Sequence, residues 1–205
     1  MNSLDQKIFL PEGNQLLLHT CCAPCSAWII EQLVASKIEV TLFFYNPNIH
    51  FRDEYDRRKN EVIRFANKMK VPWIEGDYDV QNWKDCTRGM ESYPERSERC
   101  MKCFLLRLRK TARQADATGF KIFSTSLSIS RWKDINQVTN AGRTAATENN
   151  LVYFEHNWRK SKGEEKAVQV TKREKFYRQK YCGCVYSRSR SSSSTSCSTS
   201  NEKVT

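Results

Sequence analysis

The chain has 205 residues, 34 Lys and Arg against 23 Asp and Glu for a formal charge of +11, and nine cysteines. No segment approaches the roughly 20 consecutive apolar residues of a membrane-crossing helix, and the opening MNSLDQKIFLPEGNQ lacks the basic-then-apolar order of a secretory signal, so the expectation is a cytoplasmic protein with no membrane partner. In a reducing compartment, thiols in this number read as metal ligands or redox groups before a disulfide framework. The positive surplus suits a polyanion such as nucleic acid, with solubilising lysine as the plainer alternative.

Gln15 to His19 is a short apolar run closed by a Cys/Pro turn, and Ser26 to Ser36 follows with helical spacing through Ile29, Ile30, Leu33 and Val34. The pattern then repeats. Val40 to Tyr45 is β-branched and aromatic and ends at Asn46-Pro47, while Glu54 to Lys70 places Tyr55, Val62, Ile63, Ala66 and Met69 near the helical period. Val71 to Gly76 predicts a third strand, Cys100 to Thr118 a helix stopped by Gly119, and Lys121 to Ser128 a fourth strand. Ile135 to Thr147 predicts a helix, Leu151 to Trp158 a fifth strand and Lys162 to Arg178 a last helix.

Strands alternating with helices need crossover connections, which argues for an open, mostly parallel α/β sheet with helices on both faces, in one domain over residues 1–186. Residues 187–205, SRSRSSSSTSCSTSNEKVT, hold nine serines and almost nothing apolar, so a disordered tail is expected there with Cys197 as a bystander. Ligands of such sheets sit beyond the carboxyl ends of the strands, where TCCAPCS and NPNIH both fall.

The cysteines come in tight groups: Cys21-Cys22 with Cys25 nearby, Cys100-x-x-Cys103, and Cys182-Gly183-Cys184. A C-x-x-C at a helix start turns both thiols to one side, where the positive helix end favours thiolates. Buried inert thiols and a structural zinc are the alternatives, but adjacent cysteines fit a single zinc poorly and fit the separate irons of a 4Fe-4S cluster better. Gly183 removes bulk between Cys182 and Cys184, so these two suit a strained, easily reduced disulfide that stores two electrons, although a ligand or structural role stays open for both.

In this order the motifs LLLHTCCAPCSAW, FFYNPNIH with EYDRRKNEVIRFA, PERSERCMKCFLLRLRKTARQA, GFKIFSTSLSISRWKDINQV and FYRQKYCGCVYS resemble the cobalamin-independent epoxyqueuosine reductase family QueH. The match runs from Gln15 to Ser187. The resemblance implies an oxidoreductase of the last step of queuosine synthesis, which removes the epoxide oxygen of epoxyqueuosine at the wobble position of tRNA and draws on an electron donor not named by the sequence. It implies that Cys21, Cys22, Cys100 and Cys103 hold a 4Fe-4S cluster, that Cys182 and Cys184 form a redox-active disulfide, and that Cys25 is a candidate ligand for an additional iron. The implied fold is similar to the adenine nucleotide alpha hydrolases, yet no S-G-G-x-D-S loop stands at the first turn, which argues against nucleotide chemistry. Local departures are Phe51 where proline is expected, Ser97 where glycine usually stands, and the loop RKSKGEEKA.

Arg96 to Arg113 holds seven basic residues against one acid, Glu98. For tRNA, Arg96, Arg99, Lys102, Arg107 and Arg109, joined by Arg131 and Lys133, are the expected phosphate contacts, and Trp132 suits stacking on an exposed base; a solvated helix face is the plainer reading of each charge. His50, Tyr55, Asp77 and Glu54 near strand ends are candidate proton donors, with structural roles as the alternative. The competing functions are a zinc-stabilised RNA-binding module without catalysis and an iron-sulfur enzyme that thiolates tRNA.

Overall fold

A computed structural model describes residues 7–187. Apart from Ser187, the stretch expected to be a disordered tail lies outside the described residues. The strands β1 (Gln15–His19), β2 (Glu39–Phe44), β3 (Trp73–Glu75), β4 (Ile122–Thr125) and β5 (Val152–Tyr153) form one sheet in the order β3-β2-β1-β4-β5. Every pairing is parallel. The helices are α1 (Ala23–Ala35), α2 (Arg52–Met69), α3 (Val80–Cys86), α4 (Glu98–Ala117), α5 (Ile135–Asn149) and α6 (Gly163–Arg173). None is long and apolar enough to cross a membrane among the described residues.

Strands buried on both faces read as continuous apolar runs, which is why LLLH and EVTLFF show little polar alternation. Successive side chains nevertheless go to opposite layers. Leu16, Leu18, Val40, Leu42 and Phe44 pack with Ile29 and Leu33 of α1, Tyr55 and Phe65 of α2 and Val170 of α6. Leu17, Phe43, Tyr45 and Phe123 pack with Phe104 and Leu108 of α4 and Val138 and Ala145 of α5. Leu17 sits at the centre, registered on Thr41 of β2 and on Phe123 of β4.

The strand order reverses direction between β1 and β4, so the loops leaving these two strands diverge and open a crevice at their carboxyl ends. Element boundaries differ from the expected ones for local reasons. The first helix starts at Ala23 because an extended Cys22 caps it and Pro24 suits its first turn. The last helix stops at Arg173 rather than Arg178, with Lys175 left-handed just beyond it. The edge strand β5 keeps only the pairs Ile122 with Val152 and Phe123 with Tyr153. Lys121 to Ser128 is a strand only to Thr125 and then a 3-10 turn over Ser126–Ile129. The short helix α3, whose Asp79 side chain accepts the Asn82 N–H at 3.2 Å, was not expected from the sequence.

Candidate active site

The ladder of β1 continues past its end: the Thr20 N–H donates to the Phe43 carbonyl at 2.9 Å, and the Asn46 amide donates to the Thr20 carbonyl at 2.9 Å. This fixes the following turn at the crevice. The Cys21 N–H donates to Ser126 Oγ at 3.2 Å, and Cys22 becomes the cap of α1. Cys21, Cys22 and Cys25 then present sulfurs that all lie within 4.8 Å of one another, with 3.8 Å between Cys21 and Cys22. Hydrogen bonds from Cys22 and Cys25 hold the Cys21 thiol well below its ordinary range, while the same contacts push Cys22 up to about 11 and raise Cys25. Cys21 is thus the most acidic of the three. Lys133 faces this group; its burial disfavours charge, but the neighbouring cysteines, Cys21 foremost, more than offset that and raise it above the ordinary lysine range.

The first turns of α4 carry Cys100, which accepts the Arg96 N–H at 3.3 Å, and Cys103, which packs with Trp83 and Cys184. Burial pushes the Cys100 thiol up to about 11 and raises Cys103. Beyond α6 the chain returns across the crevice. Gln179 Nε2 donates to the Cys22 sulfur at 3.2 Å, and the chain reaches Cys182 and Cys184. Both are free thiols, Cys182 exposed and Cys184 buried. The hydrogen bond from the Cys184 thiol holds Cys182 well below the usual thiol range and raises Cys184 in return, and Ser187 Oγ lies 3.1 Å from the Cys182 sulfur. Gly183 between them has φ +108, a conformation L side chains rarely adopt.

These segments enclose a cavity of about 690 Å³, bordered by Cys25, Cys100, Cys103, Cys182 and Cys184 together with Lys133. Cys182, exposed, is among its lining. Cys21 and Cys22 lie behind Cys25 in the layer that also receives Cys100. The three groups of cysteines therefore meet at one place, with the three-sulfur group of the first turn as the tightest set; the described residues place Cys100 and Cys103 at the same cavity but outside that set.

The basic residues divide. Arg99 and Arg107, 2% and 3% exposed, turn inward: Arg99 donates to the Met90 and Glu91 carbonyls at 3.2 and 2.8 Å, and Arg107 donates to Asn46 Oδ1 at 2.5 Å. Both border the cavity, so they can meet a ligand that enters it rather than one lying along the helix. Arg96 spends its guanidinium on the Trp132 and Arg131 carbonyls at 3.2 and 2.7 Å, Lys102 pairs with Glu98 at 3.5 Å, and Arg109 pairs with Glu148. Trp132 stands 68% exposed at the cavity, with the Arg131 guanidinium 5.1 Å from its ring centre.

None of the four candidate proton donors borders the cavity. Glu54 is ion-paired with Arg58 at 2.6 Å, Asp77 with Lys110 at 3.0 Å, and the Tyr55 hydroxyl donates to Glu75 at 3.3 Å. His50 is buried, 5.0 Å from the Trp83 ring, with burial lowering its pKa. Gln179 and Arg58, which contact the cysteine segments directly, lie inside the motifs FYRQKYCGCVYS and EYDRRKNEVIRFA but are not singled out by them, because a contact across more than a hundred residues leaves no local pattern.

Free, largely buried sulfur donors with Lys133 as counter-charge make a soft-ligand site suited to a thiophilic metal, and the first-turn group can hold one. Fold and site together define an α/β protein that carries a group of free cysteines able to hold a metal, rather than a phosphate-binding glycine loop, at the carboxyl edge of a parallel sheet. The family model described as epoxyqueuosine reductase QueH matches residues 16–190. The chain is 52% identical over 184 residues to the epoxyqueuosine reductase QueH of Haemophilus influenzae, covering 89% of this chain and 75% of that protein. It is 49% identical over 183 residues to that of Acinetobacter baylyi, with 88% and 84% covered, and 33% identical over 175 residues to that of Thermotoga maritima, with 84% and 89% covered. The chain belongs to the epoxyqueuosine reductase QueH family, a family of oxidoreductases.

Proposed function

We propose that this chain reduces epoxyqueuosine at the wobble position of tRNA by two electrons, turning the epoxide into an alkene and releasing its oxygen as water. The observation that carries this reading is the convergence of cysteines from three remote segments on one cavity of about 690 Å³. The reaction needs two electrons and two protons. Cys182 and Cys184 supply that number when their thiols close to a disulfide, and an external electron donor restores them. Cys182, the more acidic thiol and the one exposed to the cavity, is the partner that acts first on oxidation, with Cys184 as the buried reserve.

Cys21, Cys22, Cys100 and Cys103 are assigned as ligands of a 4Fe-4S cluster, and Cys25 as a ligand of an additional iron. When bound, the cluster supplies single-electron transfer and the iron Lewis acidity. Lys133, which borders the cavity, is the cation suited to the negative charge that develops on the departing oxygen. Arg99 and Arg107 suit a phosphate drawn into the cavity, Arg96 also borders it, Lys102 and Arg131 suit phosphates outside it, and Trp132 suits a base stacked beside it.

The test is nucleoside mass analysis of tRNA from a strain lacking the gene. Epoxyqueuosine should accumulate and disappear on complementation with the wild-type chain but not with Cys182→Ser. Unchanged queuosine, or a missing thio-nucleoside in its place, would overturn the assignment.

A further inference from the structure

We infer that Arg58 is a positioning residue for the Cys182 and Cys184 pair: its guanidinium grips the backbone of the Tyr181 to Cys184 segment and holds it in the dithiol shape, with Cys182 turned to the cavity. The inference rests on the reading of these two cysteines as the electron pair.

Arg58 lies on α2 and is 2% exposed. Its Nη1 donates to the Cys182 carbonyl at 3.1 Å and its Nη2 to the Tyr181 carbonyl at 3.1 Å. The next carbonyl, of Gly183, accepts the His50 N–H at 2.8 Å. Three consecutive carbonyls are thus captured from one side by α2 and the loop before it, which leaves the thiols to face the other way. The Tyr181 ring lies 5.3 Å from the guanidinium, and its hydroxyl donates to the His50 carbonyl, which closes the frame.

Glu54 orients the clamp. Its Oε1 accepts Arg58 Nε at 2.7 Å, and its Oε2 accepts the Tyr177 hydroxyl at 3.2 Å. A buried ion pair contributes little net stability over apolar residues of the same volume, so what Arg58 adds is direction: a planar fork that a lysine cannot reproduce. The fit is close on the other side too, since a Cβ on Gly183 would lie 3.1 Å from Arg58 Nη1 and 2.8 Å from Ile49 Cγ1.

Because both thiols are free in this arrangement, the clamp stabilises the reduced form relative to the disulfide, and loosening it should favour closure. The step is the exchange of two thiols with glutathione disulfide, in which two electrons and two protons pass to two glutathione molecules. The full chain, purified anaerobically, is equilibrated in glutathione buffers, and the fraction of the Cys182–Cys184 disulfide is read by alkylation and peptide mass analysis. Arg58→Lys keeps the charge beside Glu54, and Glu54→Gln with Arg58→Met removes both charges together, so neither leaves a buried ion alone. Arg64→Lys, which alters another arginine of α2 bonded to the Glu174 carbonyl at 2.9 Å, is the control for general loosening.

The expected result is a shift toward the disulfide of tenfold or more, about 30 mV for a two-electron couple, in both clamp variants and not in the control. A smaller shift, an opposite one, or an equal shift in Arg64→Lys overturns the inference. A wild-type pair that never closes at any buffer ratio overturns the redox reading itself and the clamp with it.

Discussion

Replacing Gly183 by alanine is the sharpest perturbation the active site offers. The backbone there has φ +108, which costs an L residue roughly 1–3 kcal/mol. The added methyl would meet Ile49 Cγ1 at 2.8 Å and Ile49 Cα at 3.3 Å as well as Arg58 Nη1 at 3.1 Å, a clash worth about 1–3 kcal/mol more. Backbone and a β-branched core side chain cannot yield as a flexible tip would. The segment itself therefore moves, giving up the His50 and Arg58 hydrogen bonds to its carbonyls. At the lower bound of about 2 kcal/mol the competent arrangement falls roughly 30-fold in population. Multiple-turnover reduction of epoxyqueuosine-containing tRNA, followed by nucleoside mass analysis, should show kcat down by at least that factor while bound iron stays at the wild-type level. Turnover of Gly183→Ala within threefold of wild type would refute the reasoning.

Two further outcomes follow from the same geometry. Cys182, depressed by the Cys184 hydrogen bond and exposed, is the more acidic and more accessible thiol, whereas Cys184 is raised and buried; iodoacetamide at pH 7 should label Cys182 first, and earlier labelling of Cys184 would contradict this. Trp132→Ala removes one stacking surface worth about 1–3 kcal/mol, so the Kd for tRNA at fixed salt should rise roughly 5- to 150-fold by fluorescence anisotropy, and an unchanged Kd would remove the stacking role.

The alternation of strands and helices was legible because a parallel sheet writes itself as apolar runs separated by helical periods, and Gln15–His19 was recovered to the residue. The helix α3 was not, since among VQNWKDC only Trp83 is buried and one apolar anchor makes no period. The cysteine groups were visible as spacing, but their meeting place depends on the return of residues 174–184 over the crevice, a path set by contacts such as Lys68 to Glu174 at 2.8 Å and Gln179 to Cys22 that join distant segments. The basic stretch of α4 was legible as charge but not as direction, for a related reason. Charge alone does not tell an exposed arginine from one such as Arg99 or Arg107, whose guanidinium is satisfied by carbonyls or an amide oxygen inside the fold.

The central claim is that sulfurs from the first turn and from α4 serve one iron-sulfur centre. Iron and acid-labile sulfide, measured on anaerobically purified wild type, Cys22→Ser, Cys103→Ser and Cys182→Ser, test it most directly. Brown wild-type protein with acid-labile sulfide and iron in slight excess over it, loss of both in Cys22→Ser and in Cys103→Ser, and retention in Cys182→Ser are expected. Colourless wild-type protein carrying zinc, or full iron in either ligand variant, would contradict it.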